Sequence, residues 1–469
     1  MSKDMELNQS LKPSNVFAIA VGSIIGFACF VLPDDWIKEA GPMGVAIAFA
    51  LGAIMMIFIG KGYGYMIDKF PVAGGAFAFA YKGFGRIHAY VCGWMLTLGY
   101  LSVVSLNATA LPILARFIMP SLLTKGYLYS VAGSDIYLGE ISISILAILI
   151  FAFLNYRGSE IMGKIQFIMV ALLFISVVLL AVGAFLKPGA SIENLNPLFA
   201  PGKTFSASIL AVLAIAPMAY VGFDTIPHAA EEFDFSPSMA FKLIVLSVVS
   251  GGVIYIVVEL STAMPYPWLE LIGSNPVWAT GTAMKSSMGN IGVLILVTGV
   301  TMGIFTGMNG FYMATSRLLL SMARAKVLPG WFAKVHPVYK TPTNGIIFTM
   351  VFALILPLFG RVALLWIVDM CGLGTAISFF YTCFTAYLMV RKNRNERSES
   401  IFHLLGSFFS IVFIILLCLP GSPAFMALES WICLILWVII GFAFYLVKAK
   451  EYRSVPKNVL DNLILGIKE

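Results

Sequence analysis

Three ionisable side chains stand in strongly apolar stretches of the sequence: Asp224, His228 four residues later, and Glu259. A carboxylate at membrane depth is unfavourable by about 2.5 to 3.5 kcal/mol even on the lenient insertion scale. We therefore expect these groups to bind a cation or carry a proton. The alternatives are that Asp224 caps a broken helix and that His228 is a hydrogen-bonded structural residue.

The first long apolar segment is interrupted by Gly22-Ser23-Ile24-Ile25-Gly26 and resumes at Phe27 and Ala28. Inside hydrocarbon every backbone N–H and C=O needs a partner. A helix can therefore break only where protein, water or a ligand satisfies the freed groups. This break predicts a binding site near the middle of the membrane.

A second interrupted segment lies between Pro217 and Pro227 and contains Met218, Tyr220, Gly222, Phe223 and Asp224. Two prolines ten residues apart, with a glycine between them, weaken the helical hydrogen-bond ladder. The second break comes five segments after the first. Because five is odd, the two halves of the chain would have opposite orientations, which predicts an inverted repeat with the site between the breaks.

The composition is that of a membrane protein. Of 469 residues, 60% are hydrophobic and only 11% are charged, which excludes an ordinary soluble domain. Mostly apolar runs of about 17 to 30 residues, long enough to cross a bilayer, recur about twelve times. We predict spans 1 to 12 at residues 13–39, 42–67, 87–118, 139–155, 159–186, 205–232, 240–264, 290–324, 344–359, 362–389, 401–419 and 428–448.

The basic residues predict the orientation. Twelve spans put both termini on one side, and placing that side in the cytoplasm leaves about 23 Lys and Arg inside against about 7 outside. We therefore predict a multi-pass protein of the plasma (cytoplasmic) membrane with both termini cytoplasmic and the lipid bilayer as its partner. The topology explains the net charge of +7, so we expect no nucleic-acid partner.

The same pattern divides the chain into five parts. These are a cytoplasmic N-terminal segment (1–12), a first repeat (13–186), an inverted second repeat (205–389), two further spans (401–448) and a cytoplasmic tail (449–469). The first dozen residues are polar, so we expect no signal peptide. The six cysteines fall in predicted spans without metal-type spacing, so we expect no disulfide, metal site or cofactor.

Four groups of short motifs occur in a specific order. They are Gly22-Ser-Ile-Ile-Gly26, then Phe70-Pro-Val-Ala-Gly-Gly-Ala-Phe-Ala-Phe-Ala-Tyr81, then Gly222-Phe-Asp224 with Ala229-Ala-Glu-Glu232, and finally Ala314-Thr-Ser-Arg317 with Ala323-Arg-Ala-Lys-Val-Leu-Pro329. Over nearly its whole length the chain resembles an amino acid, polyamine and organocation (APC) superfamily permease. The resemblance implies an all-α membrane protein with twelve transmembrane helices. It also implies a LeuT-type five-plus-five inverted repeat with interrupted helices 1 and 6, and transport by alternating access.

The broken helices suggest how a substrate would be held. Free N–H groups where helix 1 restarts suit a carboxylate, whereas the free carbonyls that end the other two half-helices suit an ammonium group. Many relatives hold the carboxylate with a Gly-Ser-Gly sequence at the restart. This chain has Gly26-Phe27-Ala28 there, which is bulkier and less flexible. Amine and α-amino acid substrates therefore both stay open.

The resemblance also implies which side chains line the pocket. Met218 aligns with an aromatic gate residue and Phe311 with another pocket aromatic, which could stack on an ammonium group. For the apolar candidates the alternative is ordinary helix packing, and for the polar ones it is hydrogen bonding between helices. The side-chain candidates are Met218, Tyr220 and Phe223 within the second break, and Phe311, Ser102, Ser105 and Asn107 outside the breaks.

Coupling to an ion departs from the pattern of many relatives. In those proteins a Lys in helix 5 replaces a sodium ion between helices 1, 5 and 8. Counting from Gln166 puts Leu173 at that place here. The coupling candidates are therefore Asp224, His228 and Glu259, with a proton or sodium as the ion.

Together these observations predict a secondary transporter for a small amine, organic cation or amino acid, coupled to protons or working by exchange. A sodium-coupled α-amino acid symporter is the alternative within this class. Alternatives from other classes are a membrane-embedded enzyme, a channel and a non-transporting sensor. Catalytic residues clustered at one membrane depth are missing from the sequence, so we do not expect an enzyme.

Overall fold

A computed structural model describes residues 7–467 apart from residues 8, 120–122, 124, 132–133, 275, 277 and 423, with the backbone alone described at 134 and 361–365. Within these residues, eleven helices are long and apolar enough to cross a membrane. A twelfth span results if one bent pair of helices counts as a single span. The chain is therefore a multi-pass membrane protein built almost entirely of helices.

The described spans follow the predicted order. Their bounds are Pro13–Ile25 with Ala28–Val31 (span 1), Pro42–Lys69 (span 2), Arg86–Ile118 (span 3), Leu138–Tyr156 (span 4), Ser159–Phe185 (span 5), Phe205–Leu213 with Ala216–Ala219 and the 3₁₀ helix Phe223–Glu232 (span 6), Ala240–Ala263 (span 7), Ala279–Arg324 (span 8), Thr343–Ala353 with the 3₁₀ helix Leu356–Val362 (span 9), Ala363–Lys392 (span 10), Ser400–Cys418 (span 11) and Leu428–Ser454 (span 12).

Shorter elements connect the spans. They are the helices Pro33–Ala40, Ala76–Phe84, Trp268–Gly273 and Lys457–Leu465, the 3₁₀ helices Ile192–Leu195, Pro237–Met239, Gly330–Ala333 and Arg397–Glu399, and the strands Tyr127–Val131 and Ser134–Tyr137. The two strands pair antiparallel. The sequence analysis did not predict this hairpin between spans 3 and 4.

Two span boundaries differ most from the prediction. Span 1 ends at Val31, and Pro33 starts the separate helix Pro33–Ala40, as expected for a residue that fits the first turn of a helix. Span 8 starts earlier than predicted and contains a non-helical residue, Gly289. The predicted start at residue 290 therefore coincides with a kink inside a longer helix.

Glycines form both predicted breaks. Gly26 follows the first half of span 1 with φ 50° and ψ −151°, and Gly222 interrupts span 6 with φ 136° and ψ −36°. Residues with a Cβ rarely adopt either conformation. Span 6 also bends by 44° earlier in the chain, between Phe205–Leu213 and the part from Ala216 to Glu232. The backbone therefore leaves helical geometry at the two places that the sequence analysis predicted.

Small residues bring span 1 against span 8 at the centre of the molecule. The helices lie too close for larger side chains here: if Gly303 carried a Cβ, that atom would lie 2.1 Å from Gly26 O, and a Cβ on Gly22 would lie 2.6 Å from Thr306 Cβ. Such close backbone approach is typical of helix contacts within membranes. It holds the break of span 1 in a fixed place against span 8.

Candidate functional site

A cavity of about 30 Å³ lies where the two breaks meet. That volume suits a few water molecules, so a larger molecule can enter only if neighbouring side chains move. Five spans line it, with residues 23–28 from span 1, Val103, Leu106 and Asn107 from span 3, Met218 and Val221 from span 6, Tyr255 from span 7 and Cys371 from span 10.

Tyr255 connects the two broken spans. Its hydroxyl lies 3.0 Å from Ile24 O and 3.1 Å from Ala219 O, where the first half of span 1 and the helix Ala216–Ala219 of span 6 end. One hydroxyl proton is therefore shared between carbonyls from both breaks. The ring stacks on Phe49 with centroids 4.6 Å apart. Sequence reasoning missed Tyr255, because a tyrosine in an apolar helix gives no separate signal.

Two polar side chains of the cavity come from spans 1 and 3. Asn107 Nδ2 donates to Val103 O at 2.9 Å, which turns the amide oxygen away from its own helix. Ser23 fits beside two glycines: a Cβ on Gly310 would lie 2.1 Å from Ser23 Oγ, and one on Gly222 would lie 2.8 Å from Ser23 Cβ. The missing side chains of these glycines make the space that Ser23 occupies.

Asp224 is fully buried but does not line the cavity. Its Oδ1 accepts the Gly222 N–H at 2.8 Å, and its Oδ2 accepts the Tyr100 hydroxyl at 2.9 Å. The carboxylate thus satisfies a backbone group that the break leaves free. This geometry is the one expected of a cap on the broken helix.

The other predicted residues divide into two groups. The structure brings residues 23–28 and Met218 together around the cavity with Asn107, and Gly22 and Gly222 lie directly beside them. The remaining candidates do not line the cavity in this conformation, and each has other neighbours. Tyr220 donates to Phe49 O, Phe223 stacks on Phe379, Phe311 packs on Tyr100, Ser105 donates to Leu101 O, and Ser102 is buried within span 3.

The two further coupling candidates are also buried. His228 Nδ1 lies 3.0 Å from Ala73 O, in the segment after span 2. Glu259 is fully buried in span 7, one helical turn beyond Tyr255, and neither carboxylate oxygen has a hydrogen-bond partner among the described residues. An isolated carboxylate in such a place is strongly disfavoured unless it is neutralised.

Spans 1, 5 and 8 meet through an amide rather than a charged group. Gln166 Nε2 lies 3.2 Å from both Ala18 O and Thr306 O, and Gln166 Oε1 accepts from Asn309 at 2.8 Å. Leu173 is fully buried in the core. Sequence reasoning used Gln166 only as a counting point and missed this bridge, although a polar residue within a span was the available signal.

Ion pairs join spans 6 and 8 at the end of the molecule that holds residue 11, which we call the terminal side. Arg317 holds Glu232 with two hydrogen bonds, at 2.6 and 3.3 Å, and both side chains are 1% exposed. Arg324 holds Glu231 at 2.8 Å. The Leu11 N–H donates to Glu232 O at 2.9 Å. We call Glu231, Glu232, Arg317 and Arg324 the terminal latch.

A larger cavity, of about 420 Å³, lies on the opposite side. The ends of spans 1 and 3 and the start of span 8 line it, including Asp34, Phe117 and Trp278. The Trp278 indole donates to Phe30 O at 2.9 Å, and Phe117 packs edge-on against its ring. Buried ion pairs thus join spans 6 and 8 at the terminal side, and a cavity larger than the one between the breaks lies at the opposite side.

Comparison with known proteins adds a family and several relatives. The profile of the amino acid permease family matches residues 11–444. The chain is 26% identical over 469 residues to the branched-chain amino acid permease of Bacillus subtilis, covering 97% of this chain and 96% of that protein. It is 24% identical over 472 residues to the methylthioribose transporter of Bacillus subtilis, with coverage of 97% and 96%. Cationic amino acid transporter 6, chloroplastic, of Arabidopsis thaliana is 25% identical over 472 residues, with coverage of 96% and 79%.

Proposed function

Because the chain belongs to the amino acid permease family, we propose that it moves an amino acid across the membrane as a secondary transporter that works by alternating access. The predicted resemblance to APC superfamily permeases is confirmed by the family match and by the relatives. Their names are those of permeases and transporters, so the chain is a transporter and not a membrane-embedded enzyme.

The observation that carries this proposal is the cavity where two broken spans meet, with buried ion pairs at one end of the molecule and a larger cavity at the other. A transporter that alternates between two openings needs such a central site between two gates. The terminal latch would act as one gate, and the contact between Trp278 and Phe30 would act as the other.

We further propose that spans 1–5 and 6–10 form a LeuT-type inverted repeat. Spans 1 and 6 are both interrupted by a glycine, lie five spans apart and share the Tyr255 hydroxyl. Five intervening steps give them opposite directions across the membrane. In this arrangement each half contributes one broken helix to the site.

The proposed orientation puts the terminal side in the cytoplasm of a cell with this protein in its plasma membrane. The support is the charge distribution, because most Lys and Arg follow spans that end on that side. Arg391, Lys392 and Lys448 belong to this group.

The geometry favours an amino acid over a simple amine. An amine needs a counter-charge, and Asp224 was the predicted one, but its two oxygens already accept hydrogen bonds outside the cavity. An amino acid brings its own carboxylate. Relatives are named for branched-chain and for cationic amino acids, so the family alone leaves the side-chain class open.

For coupling we propose a proton carried by Glu259. This carboxyl is fully buried, lies one turn from Tyr255 and has no partner among the described residues, so proton binding would remove a charge that is unfavourable at this depth. The sodium alternative finds less support, because the Gln166 amide bridges spans 1, 5 and 8.

Reconstitution into proteoliposomes tests the proposal. We expect saturable uptake and counterflow of a labelled amino acid, driven by an inward proton gradient and unaffected by replacing sodium with choline. Glu259→Gln should retain counterflow but lose stimulation by the proton gradient, whereas Glu270→Gln, an exposed glutamate in the helix Trp268–Gly273, should retain both. Uptake that does not saturate and shows no counterflow would identify a channel instead.

A further inference from the structure

Two polar atoms at the cavity have no hydrogen-bond partner within the described part of the protein: Ser23 Oγ and Asn107 Oδ1. Ser23 is 4% exposed and Asn107 is 2% exposed. Buried polar atoms nearly always have a partner, and each exception needs a reason. Two such atoms at one cavity indicate that they bind a polar group of a ligand.

The orientation of the Asn107 amide is fixed by its own helix. Val103 O lies 2.9 Å from the side-chain nitrogen, and a carbonyl oxygen can only accept a hydrogen bond. The nitrogen must therefore face Val103, and the oxygen must face away from it. A Cβ placed on Gly26 would lie 3.7 Å from Oδ1, and one placed on Gly307 would lie 3.1 Å from it, so the free oxygen lies where the break of span 1 meets span 8.

The backbone adds more acceptors at the same place. Ile24 O and Ala219 O share the single proton of Tyr255, and each carbonyl oxygen has two lone pairs. The polar part of the cavity thus offers an amide oxygen, a hydroxyl and backbone carbonyls. Such a set suits a group with several N–H donors, as an ammonium group has.

The rest of the cavity is apolar. Its aliphatic lining consists of Ile24, Ile25, Val103, Leu106, Met218 and Val221. Among the described residues that line it, none is acidic or basic. A cationic side chain would lose its hydration here without gaining a counter-charge, whereas an aliphatic side chain would gain by leaving water.

We propose, on the basis of the transport function above, that this cavity, widened by movement of the neighbouring side chains, binds a zwitterionic amino acid with an uncharged aliphatic side chain. Its ammonium group donates hydrogen bonds to Asn107 Oδ1 and Ser23 Oγ. Asn107 thereby fulfils the role that the sequence suggested for Asp224, without placing a net charge at the site. The binding site excludes both cationic amino acids and amines that lack a carboxylate.

Calorimetric binding to the purified full-length protein in nanodiscs tests this proposal with three probes: L-valine, L-lysine and isobutylamine, which is valine without its carboxylate. We expect valine to bind at least about 30-fold more tightly than lysine or isobutylamine, because each of those two molecules carries a net positive charge that nothing at this site balances. Lysine or isobutylamine binding as tightly as valine would overturn the proposed substrate class.

Variants test the two ligands of the ammonium group. Asn107→Leu should weaken valine binding about 10- to 100-fold, and Ser23→Ala should weaken it about tenfold, as expected for hydrogen bonds to a charged group. Thr109→Val is the matched control, because Thr109 lies on the same span and its hydroxyl donates to Ser105 O within that helix. Unfolding temperatures without ligand check the fold, and Ser23→Ala is the smaller change if Asn107→Leu is unstable.

The outcomes separate this inference from the proposed function. Valine binding of wild-type strength in both variants would overturn the assignment of Ser23 and Asn107. Counterflow of lysine but not of valine would overturn the aliphatic substrate class while leaving amino acid transport intact. Failure of every standard amino acid to bind or to show counterflow would instead contradict the transport function itself.

Discussion

The terminal latch offers the sharpest test of how the molecule is closed. Arg317 and Glu232 are each 1% exposed and are joined by two hydrogen bonds. Removing one member of such a buried pair leaves an uncompensated charge and costs about 3 to 5 kcal/mol. Replacing both members with apolar residues of similar size is often neutral or stabilising. We therefore expect Arg317→Met and Glu232→Leu to be damaging singly and the double variant to recover.

The expected energy sets the size of the effect. If the single substitution raises the free energy of the state with the latch formed by about 3 to 5 kcal/mol, the population of that state relative to states with the latch broken falls by a factor of roughly 100 to 5,000. The Leu11 N–H donates to Glu232 O, so opening of the latch exposes this amide. Hydrogen–deuterium exchange of residues 10–16 and 228–234, together with thermal unfolding, measures the change.

Lys164→Met provides the control. Lys164 also pairs with a glutamate, Glu160, but the two side chains are 70% and 63% exposed. Such exposed pairs contribute about 0 to 1 kcal/mol, so exchange near the latch should stay at the wild-type level. The reasoning would be refuted if amides near the latch exchanged as slowly in both single variants as in the wild type. It would also be refuted if these amides exchanged as fast in the double variant as in the single variants.

Three further substitutions test the site and its supports. In Asp224→Asn an amide nitrogen replaces one carboxylate oxygen, while the Tyr100 hydroxyl can still donate to the backbone oxygen of residue 224 at 2.9 Å. We therefore expect a loss of about 1 kcal/mol in unfolding free energy; an unchanged unfolding midpoint would contradict the capping role. Gly303→Ala would put a Cβ 2.1 Å from Gly26 O and should abolish monodisperse protein on size exclusion, whereas Gly273→Ala, with no atom within 4 Å of its Cβ, should not. Gln166→Leu removes the amide bridge between spans 1, 5 and 8 and should lower the unfolding midpoint, and an unchanged midpoint would show that the bridge adds no stability.

Hydropathy and glycine positions were sufficient to predict the order of the spans and the two breaks. The spans follow from runs of apolar residues whose length is set by the bilayer, a property that can be read locally. The breaks were also readable, because Gly26 and Gly222 adopt conformations that other residues rarely do. The hairpin at Tyr127–Tyr137 was missed because it lies between spans, where the bilayer imposes no length or pattern.

The lining of the site was harder to predict than its place. Helical spacing does not tell which face of span 3 meets the break, so Ser102, Ser105 and Asn107 were indistinguishable in the sequence. The partners of Asp224 were hidden for a different reason, since the Tyr100 hydroxyl comes from a span 124 residues earlier in the chain. Such long-range contacts decide whether a buried carboxylate caps a helix or binds a ligand.

Charged side chains are distributed unevenly between the proposed substrate cavity and the terminal latch. The cavity lining contains no acidic or basic side chain among the described residues, whereas the terminal latch consists of four charged ones. Ion pairs between elements that separate give a large energy change over a short movement, while a neutral site can hold and release a zwitterion without a strong permanent charge. Substitutions in the latch should therefore change transport rates and leave the preference among amino acids intact. Substitutions at Asn107 or Met218 should change that preference while hydrogen–deuterium exchange near the latch stays nearly constant. A latch variant with altered preference among amino acids would show that the cavity and the latch are not independent.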